Sequence, residues 1–332
     1  MSNRKWTFIL IPVFLPFAWL LFQFTLSSLQ IHQFAEQLKT VSTKDGVSDT
    51  KVVLISQELD NYYWRSIEQG ARKEAEQYGM RLDYIGPDRI NPSEQIKLLD
   101  KTIAAKADAI LVQGINDPEY RRLIDKAAGL GIPVITIDTD EPDSRRLAYV
   151  GTDNEGAGKR MGVLLAKASG ERGDIGVMIS NERVENQRLR LAGFRSVIDR
   201  YPELRIVEIR SSDISRLQAA QQAQNMLTRY PQIRYMVGFS ALDGPGILEA
   251  SERNGARSLQ IFAFDDMADT LEAIRDSKIE LTIVQQPAEM GAKAIKLLND
   301  YLKGNDPQKL TYTRVYEVHA DTPDNMAGDD GR

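Results

Sequence analysis

Residues 131–138 read Gly-Ile-Pro-Val-Ile-Thr-Ile-Asp. Gly131 is the residue type that closes a helix, and Ile132-Pro133 bars its continuation, because proline has no N–H and forces its predecessor out of the α region. Val134-Ile-Thr-Ile137 is a short β-branched run with no polar face, the pattern of a strand covered on both sides. It ends on a carboxylate, Asp138. A helix stop, a buried strand and then a polar residue is the repeating unit of an open parallel sheet, in which ligands meet the carboxyl ends of strands.

The same unit recurs on both sides of this stretch. Val52–Ile55, Leu82–Ile85, Ala109–Val112 and Ala148–Val150 complete one strand series. Ile175–Ile179, Ile206–Ile209, Tyr235–Val237, Ile261–Phe264 and Leu281–Val284 form a second, with helical patterns filling the intervals. Gly79, Tyr201-Pro202 and Tyr230-Pro231 stop helices ahead of strands. The expected fold class is α/β with two lobes, each a parallel sheet with helices on both faces.

Composition narrows the chemistry. The 332 residues contain no cysteine and only two histidines, His32 and His319. Disulfides, thiolate-held metals, a cysteine nucleophile and a lipid-modified cysteine are therefore excluded, and histidine-based zinc sites or triads are poorly supplied. No cofactor and no metal are expected. Lys and Arg number 42 against 47 Asp and Glu, a net charge of -5, which argues against a nucleic-acid footprint.

Trp6–Leu26 is an uncharged, largely apolar run of about 21 residues, long enough to cross a bilayer as a helix. Arg4 and Lys5 precede it, which orients the N-terminus to the cytoplasm. A cleavable signal peptide is the rival reading, but the apolar region exceeds the usual length and no A-x-A site follows. Residues 1–30 are thus expected to be a cytoplasmic stub and membrane anchor. Residues 31–50 follow as a juxtamembrane helix, with Ile31, Phe34, Ala35, Leu38 and Val41 on one face, and a polar linker. Residues 323–332 lack apolar periodicity and are expected to fray.

The residues just after each strand are the candidate site. They are Asn61, Tyr63 and Trp64 after the first, Gln113 after the third and Asp138 after the fourth. In the second series they are Arg188, Ser240, Asp265 and Gln285. Amides, carboxylates, one arginine and aromatic rings suit a neutral polyhydroxylated ligand. Asp138 and Asp265 would accept from its hydroxyls, Asn61, Gln113, Arg188 and Gln285 would donate, and Tyr63 with Trp64 would cover its C–H face.

The segments Asp60–Ile67 with Gly70, Ile132–Asp138, Val150–Asn154, Arg188–Phe194, Phe262–Asp265 and Thr282–Pro287 with Gly291 together resemble the bacterial periplasmic sugar-binding proteins of the ribose-binding type. The resemblance runs over about residues 50–318. It implies two Rossmann-like lobes joined by three crossings near Thr152, Gln285 and Thr313, closing on a monosaccharide. Lobe 1 would comprise 51–152 with 286–313, and lobe 2 would comprise 153–285 with 314–322. The resemblance places Asn61, Tyr63, Trp64, Gln113, Asp138, Arg188, Asp265 and Gln285 on positions that contact sugar in that family, with Ser240 as a further candidate. Three positions depart from its pattern. Thr139 stands where ribose binders carry Arg, Ser240 where they carry Asn, and Ile214 where they carry an aromatic, so the ligand need not be ribose.

Other readings of particular residues are weaker. Gly158-Lys-Arg160 lacks the leading glycine and the Ser/Thr of a phosphate loop. Asp138, Asp140, Glu141 and Asp143 are interrupted by Pro142 and read as a solvated turn, not a calcium loop. Arg183, Arg190 and Arg195 are expected to be solvated. The expected function is binding without catalysis, with a sensor histidine kinase or an ABC sugar importer as membrane partner. A carbohydrate-processing enzyme using Asp138 and Asp265 is the alternative.

Overall fold

The computed structural model describes residues 50–255 and 258–322. The expected membrane span, the juxtamembrane helix and the C-terminal tail lie outside these residues. Among the described residues no helix is long and apolar enough to cross a membrane.

The chain begins by alternating strand and helix: β1 (Lys51–Ile55), α1 (Tyr62–Gln77), β2 (Arg81–Ile85), α2 (Pro92–Ala104), β3 (Ala109–Val112), α3 (Pro118–Gly129), β4 (Val134–Ile137) and β5 (Ala148–Thr152). Polar side chains fix where the helices start. Asn61, Asn91 and Asp117 accept from the free N–H groups of α1, α2 and α3, and Pro92 and Pro118 fill first-turn positions that need no donor. These strands form a parallel sheet in the order β11-β5-β4-β3-β1-β2, where β11 (Leu310–Thr313) returns from the end of the chain.

Lobe 2 repeats the scheme with α4 (Asn154–Ser169), β6 (Arg172–Ile179), α5 (Glu185–Ile198), β7 (Glu203–Ser211), α6 (Arg216–Arg229), β8 (Ile233–Gly238), α7 (Asp243–Asn254), β9 (Gln260–Phe264), α8 (Ala268–Arg275) and β10 (Leu281–Val284). Helix α9 (Pro287–Leu302) then packs back in lobe 1. The second sheet has the order β12-β10-β9-β8-β6-β7. Its edge strand β12 (Tyr316–His319) pairs antiparallel to β10, unlike the all-parallel expectation. The cause is the connection. β11 runs parallel to β5 in the first sheet, and after only Arg314 and Val315 the chain enters the second sheet beside Val284, at the carboxyl end of β10, so β12 must run away from that end.

Both sheets are covered on both faces, which is why their strands carry no polar side. In β1, Val52 and Leu54 join one apolar cluster with Trp64, Met290 and Ile295, whereas Val53 and Ile55 join another with Leu99 and Ile124. In β9, Phe262 and Phe264 face one side and Ile261 and Ala263 the other. That two-fold alternation places a helix layer on each face.

Paired glycines let the helices beside the cleft approach closely in each lobe. A Cβ on Gly70 of α1 would lie 1.9 Å from Ala288 O, and one on Gly291 of α9 would lie 2.0 Å from Ile67 O. In lobe 2, a Cβ on Gly158 of α4 would lie 2.0 Å from Arg190 O, and one on Gly193 of α5 would lie 2.1 Å from Glu155 O. Gly158 therefore serves helix packing.

Candidate ligand-binding site

Asp138 and Asp265 follow β4 and β9 directly, each with φ of +66°, a left-handed conformation that Asp tolerates better than most residues. The main chain is held while each turns: Asp138 N donates to Val150 O (3.1 Å) and Asp265 N to Ile283 O (2.8 Å). A carboxylate is thereby presented at a strand end from each lobe.

Around Asp138 the donors belong to lobe 1. Tyr63 Oη donates to Oδ1 (3.0 Å), and Gln113 Nε2 and Thr139 Oγ1 donate to Oδ2 (2.8 and 3.0 Å). Tyr63 has its phenol held well above its ordinary pKa, first by burial and then by the carboxylates of Asp138 and Asp265. It is therefore a permanent donor. Asn61 caps α1, its Oδ1 accepting from Tyr63 N (3.0 Å) and Trp64 N (3.4 Å), and so fixes the turn that places Tyr63.

The lobe 2 side is organised by Arg190, which is 2% exposed. Its Nε donates to Asn154 Oδ1 (2.8 Å), Nη1 to Phe239 O (2.7 Å) and Nη2 to Gln285 Oε1 (2.8 Å), while the guanidinium carbon lies 4.0 Å from the Phe264 ring centroid. Gln285 Nε2 donates to Asp265 Oδ1 (2.9 Å), and Gln285 Oε1 also accepts from Thr152 Oγ1 (2.7 Å). Thr152 and Gln285 are the last residues before two of the crossings between the sheets. One amide thus ties both crossings to Arg190 and Asp265. Burial pushes the Asp265 carboxyl up to about 6, against the opposing pull of Arg190.

Ser240 sits on the β8–α7 loop, its N–H donating to Asp243 Oδ2 (2.9 Å), and its Oγ is buried without a bonded partner. The lobes also touch directly. Asn186 Nδ2 donates to Thr139 Oγ1 (3.0 Å) and Asn116 Nδ2 to Arg183 O (3.2 Å). Beside this network lies a cavity of about 550 Å³, lined from both lobes by Asp140, Tyr149, Asn154, Asn186, Leu189 and Tyr312 among others.

The structure brings Tyr63, Gln113, Asp138, Asp265 and Gln285 together, with Asn61 beneath them as a cap. Three expectations need correction. Arg188 is exposed and paired with Glu185 (2.9 Å), and Arg190 is the arginine in the network. Two residues along a helix are about 200° apart, so the pair cannot share a face. Trp64, at 2% exposure, lies in the lobe 1 core and meets Tyr63 edge-on, so it offers no face to the cleft. The turn after Asp138 is solvated only in part: Pro142 and Asp143 are exposed, but Glu141 is buried, accepts from Ile115 N and Asn116 N, and pairs with Arg121. Sequence reading also missed Asn154 and Asn186. Asn186 lies four residues before Arg190 and shares its face, so the phase of α5 would have pointed to both.

Two hinged α/β lobes with facing polar strand ends define a receptor that encloses a small solute. A family model described as a periplasmic binding protein domain matches residues 52–306. The chain belongs to the periplasmic binding protein family. A ribose import binding protein of Bacillus subtilis is 26% identical over 289 residues, covering 87% of this chain and 92% of that one. The crystal structure of GanP, a glucose-galactose binding protein from Geobacillus stearothermophilus, is 37% identical with a TM-score of 0.81, covering 83% and 99%. A structure described as the XylFII-LytSN complex contains a chain 35% identical with a TM-score of 0.76, covering 82% and 98%.

Proposed function

We propose that this chain is an extracytoplasmic receptor for a monosaccharide-like ligand, held at the membrane by residues 6–26, which closes its lobes on the sugar and presents it to a membrane partner. The observation that carries the reading is the pairing of Asp138 with Gln113 and Tyr63 on one side of the cleft and, on the other, of Asp265 with Gln285, which Arg190 holds in turn. Carboxylates and amides facing one another across a hinge suit hydroxyls, which donate and accept at once. Binding energy shifts an open-to-closed equilibrium, and no bond is made or broken. The relatives named as ribose and glucose-galactose binding proteins support a sugar ligand and a binder over an enzyme.

The partner is an ABC sugar importer or a sensor histidine kinase. Import is supported by the ribose import relative. The anchor expected over residues 6–26 and the likeness to a chain in the structure described as the XylFII-LytSN complex support the sensing arm. The test is thermal stability of the full chain against a panel of pentoses, hexoses and polyols. A rise in midpoint with at least one sugar, with no product formed from it, is expected. No rise with any of them, or release of a hydrolysis product, defeats the reading.

A further inference from the structure

Two side-chain amides, one from each lobe, converge on a single hydroxyl in the cleft. Gln113, just beyond β3, donates from Nε2 to Thr139 Oγ1 (3.3 Å) as well as to Asp138 Oδ2 (2.8 Å). Asn186, in the first turn of α5, donates from Nδ2 to the same Oγ1 (3.0 Å). Thr139 Oγ1 in turn donates to Asp138 Oδ2 (3.0 Å). One hydrogen given and two received exhaust a hydroxyl.

This arrangement fixes which end of each amide is left over. Reversing Gln113 would set its oxygen against the Asp138 carboxylate. Reversing Asn186 would require the Thr139 proton, which is drawn to the stronger, charged acceptor. Both amide oxygens therefore face away from Thr139. Gln113 Oε1 and Asn186 Oδ1 are buried, at residues 4% and 8% exposed, and neither receives a hydrogen bond from the protein. Asn186 also lines the cavity between the lobes. Arg190 does not serve these oxygens either: its bonds go to Asn154 Oδ1, Phe239 O and Gln285 Oε1.

We infer that Gln113, Thr139 and Asn186 form an acceptor subsite that selects the sugar by one free hydroxyl, or two adjacent ones, donating to the two amide oxygens. The inference rests on the sugar-binding reading. An arginine at position 139, as in the ribose-type pattern, would offer donors at this spot. Threonine makes the subsite an acceptor, so Asn186 becomes a specificity-determining residue with no counterpart among the positions carried over from that pattern.

The experiment measures calorimetric binding of D-glucose, D-galactose, D-xylose, L-arabinose and D-ribose to the full chain. The tightest is then replaced by its monodeoxy and monodeoxyfluoro analogues at each carbon. Fluorine keeps approximate size and can accept weakly, but it cannot donate. At one position or two adjacent ones, fluorine should weaken binding about 10- to 100-fold, as much as hydrogen does, because a buried acceptor stays unpaired. Asn186→Ala should abolish that loss at one such position, whereas Asn186→Asp, which keeps an acceptor, should preserve it. Thr139→Arg should make fluorine tolerated. Fluoro analogues that match the parent sugar at every carbon, or a penalty unchanged in Asn186→Ala, overturn the inference and leave sugar binding standing. No binding of any of the five sugars overturns both.

Discussion

Asp138 and Asp265 are placed by the same backbone device, yet one is surrounded by neutral donors and the other by a charged network. Each follows a strand at φ +66° and keeps its N–H on the neighbouring strand. Asp138 then takes three donors, from Tyr63, Gln113 and Thr139, all in lobe 1. Asp265 takes Gln285 and lies under the influence of Arg190, whose other bonds reach Asn154 and Phe239. The difference assigns separate tasks. The lobe 1 side is a preset acceptor that needs nothing from the other lobe. On the lobe 2 side the carboxylate is joined through Gln285 to Thr152, so it shares one hydrogen-bond network with the crossings.

The largest expected effect breaks the lobe 2 network. Arg190→Ala leaves acceptors on Asn154, Phe239 and Gln285 without their cation and uncovers Phe264. Removing one partner of a buried charged network costs about 3–5 kcal/mol. Urea unfolding should show that loss, and the sugar-induced rise in melting temperature should vanish. Arg188→Ala, two residues away in an exposed ion pair, should stay within about 0.5 kcal/mol and keep the response. Equal effects from the two variants would refute the division between them.

That contrast also marks how far the sequence could be read. The strands were legible because runs such as Val134–Ile137 and Ile261–Phe264 must be covered on both faces, and the carboxylates were legible because they follow those runs directly. The arginine was not, since Arg188 and Arg190 have the same chemistry and only the packing of α5 on α4 separates their faces. Gly158 and Gly193 carry that information, as their bare Cα atoms let Arg190 and Glu155 approach, but one glycine in a helix does not name its partner. Asn186 escaped for a similar reason: its bond to Thr139 joins residues 47 apart in the chain, one from each lobe.

Tyr63 and Trp64 show the same limit within lobe 1. Three adjacent aromatics at a helix start must point about 100° apart, and α9 decides which one is buried. Trp64→Ala should therefore cost about 3–5 kcal/mol as a core cavity, measured by urea unfolding. Trp64→Phe should retain the sugar response if the indole is not a ligand contact, and losing the response at unchanged stability would restore Trp64 to the site.

A smaller effect is expected at the lobe 1 carboxylate. Asp138→Asn presents at most one oxygen to three donors, and its NH₂ opposes one of them. About 1–3 kcal/mol of stability should be lost, together with the sugar response. Tyr63→Phe should recover part of the stability in that background, because it removes one unpaired donor. Additive losses in the double variant would show that Tyr63 and Asp138 act independently.

The last effect concerns the proton on Asp265. Its carboxyl is raised to about 6 from an ordinary value of 3.8, chiefly by burial. Between those values the folded protein holds a proton that the unfolded chain has released. Stability linked to this group therefore falls as pH rises through about 4 to 6, and the deficit is complete above that window. Glu141 and Asp243 are also raised by burial and act in the same direction. The slope alone is thus not diagnostic, and the difference between wild type and Asp265→Asn is the measurement. The variant has no charge to bury, so its urea midpoint should gain on wild type with rising pH across this window and stay level above it. A difference that does not change with pH would mean that Arg190 and Gln285 offset the burial of Asp265 and keep it ionised across the window.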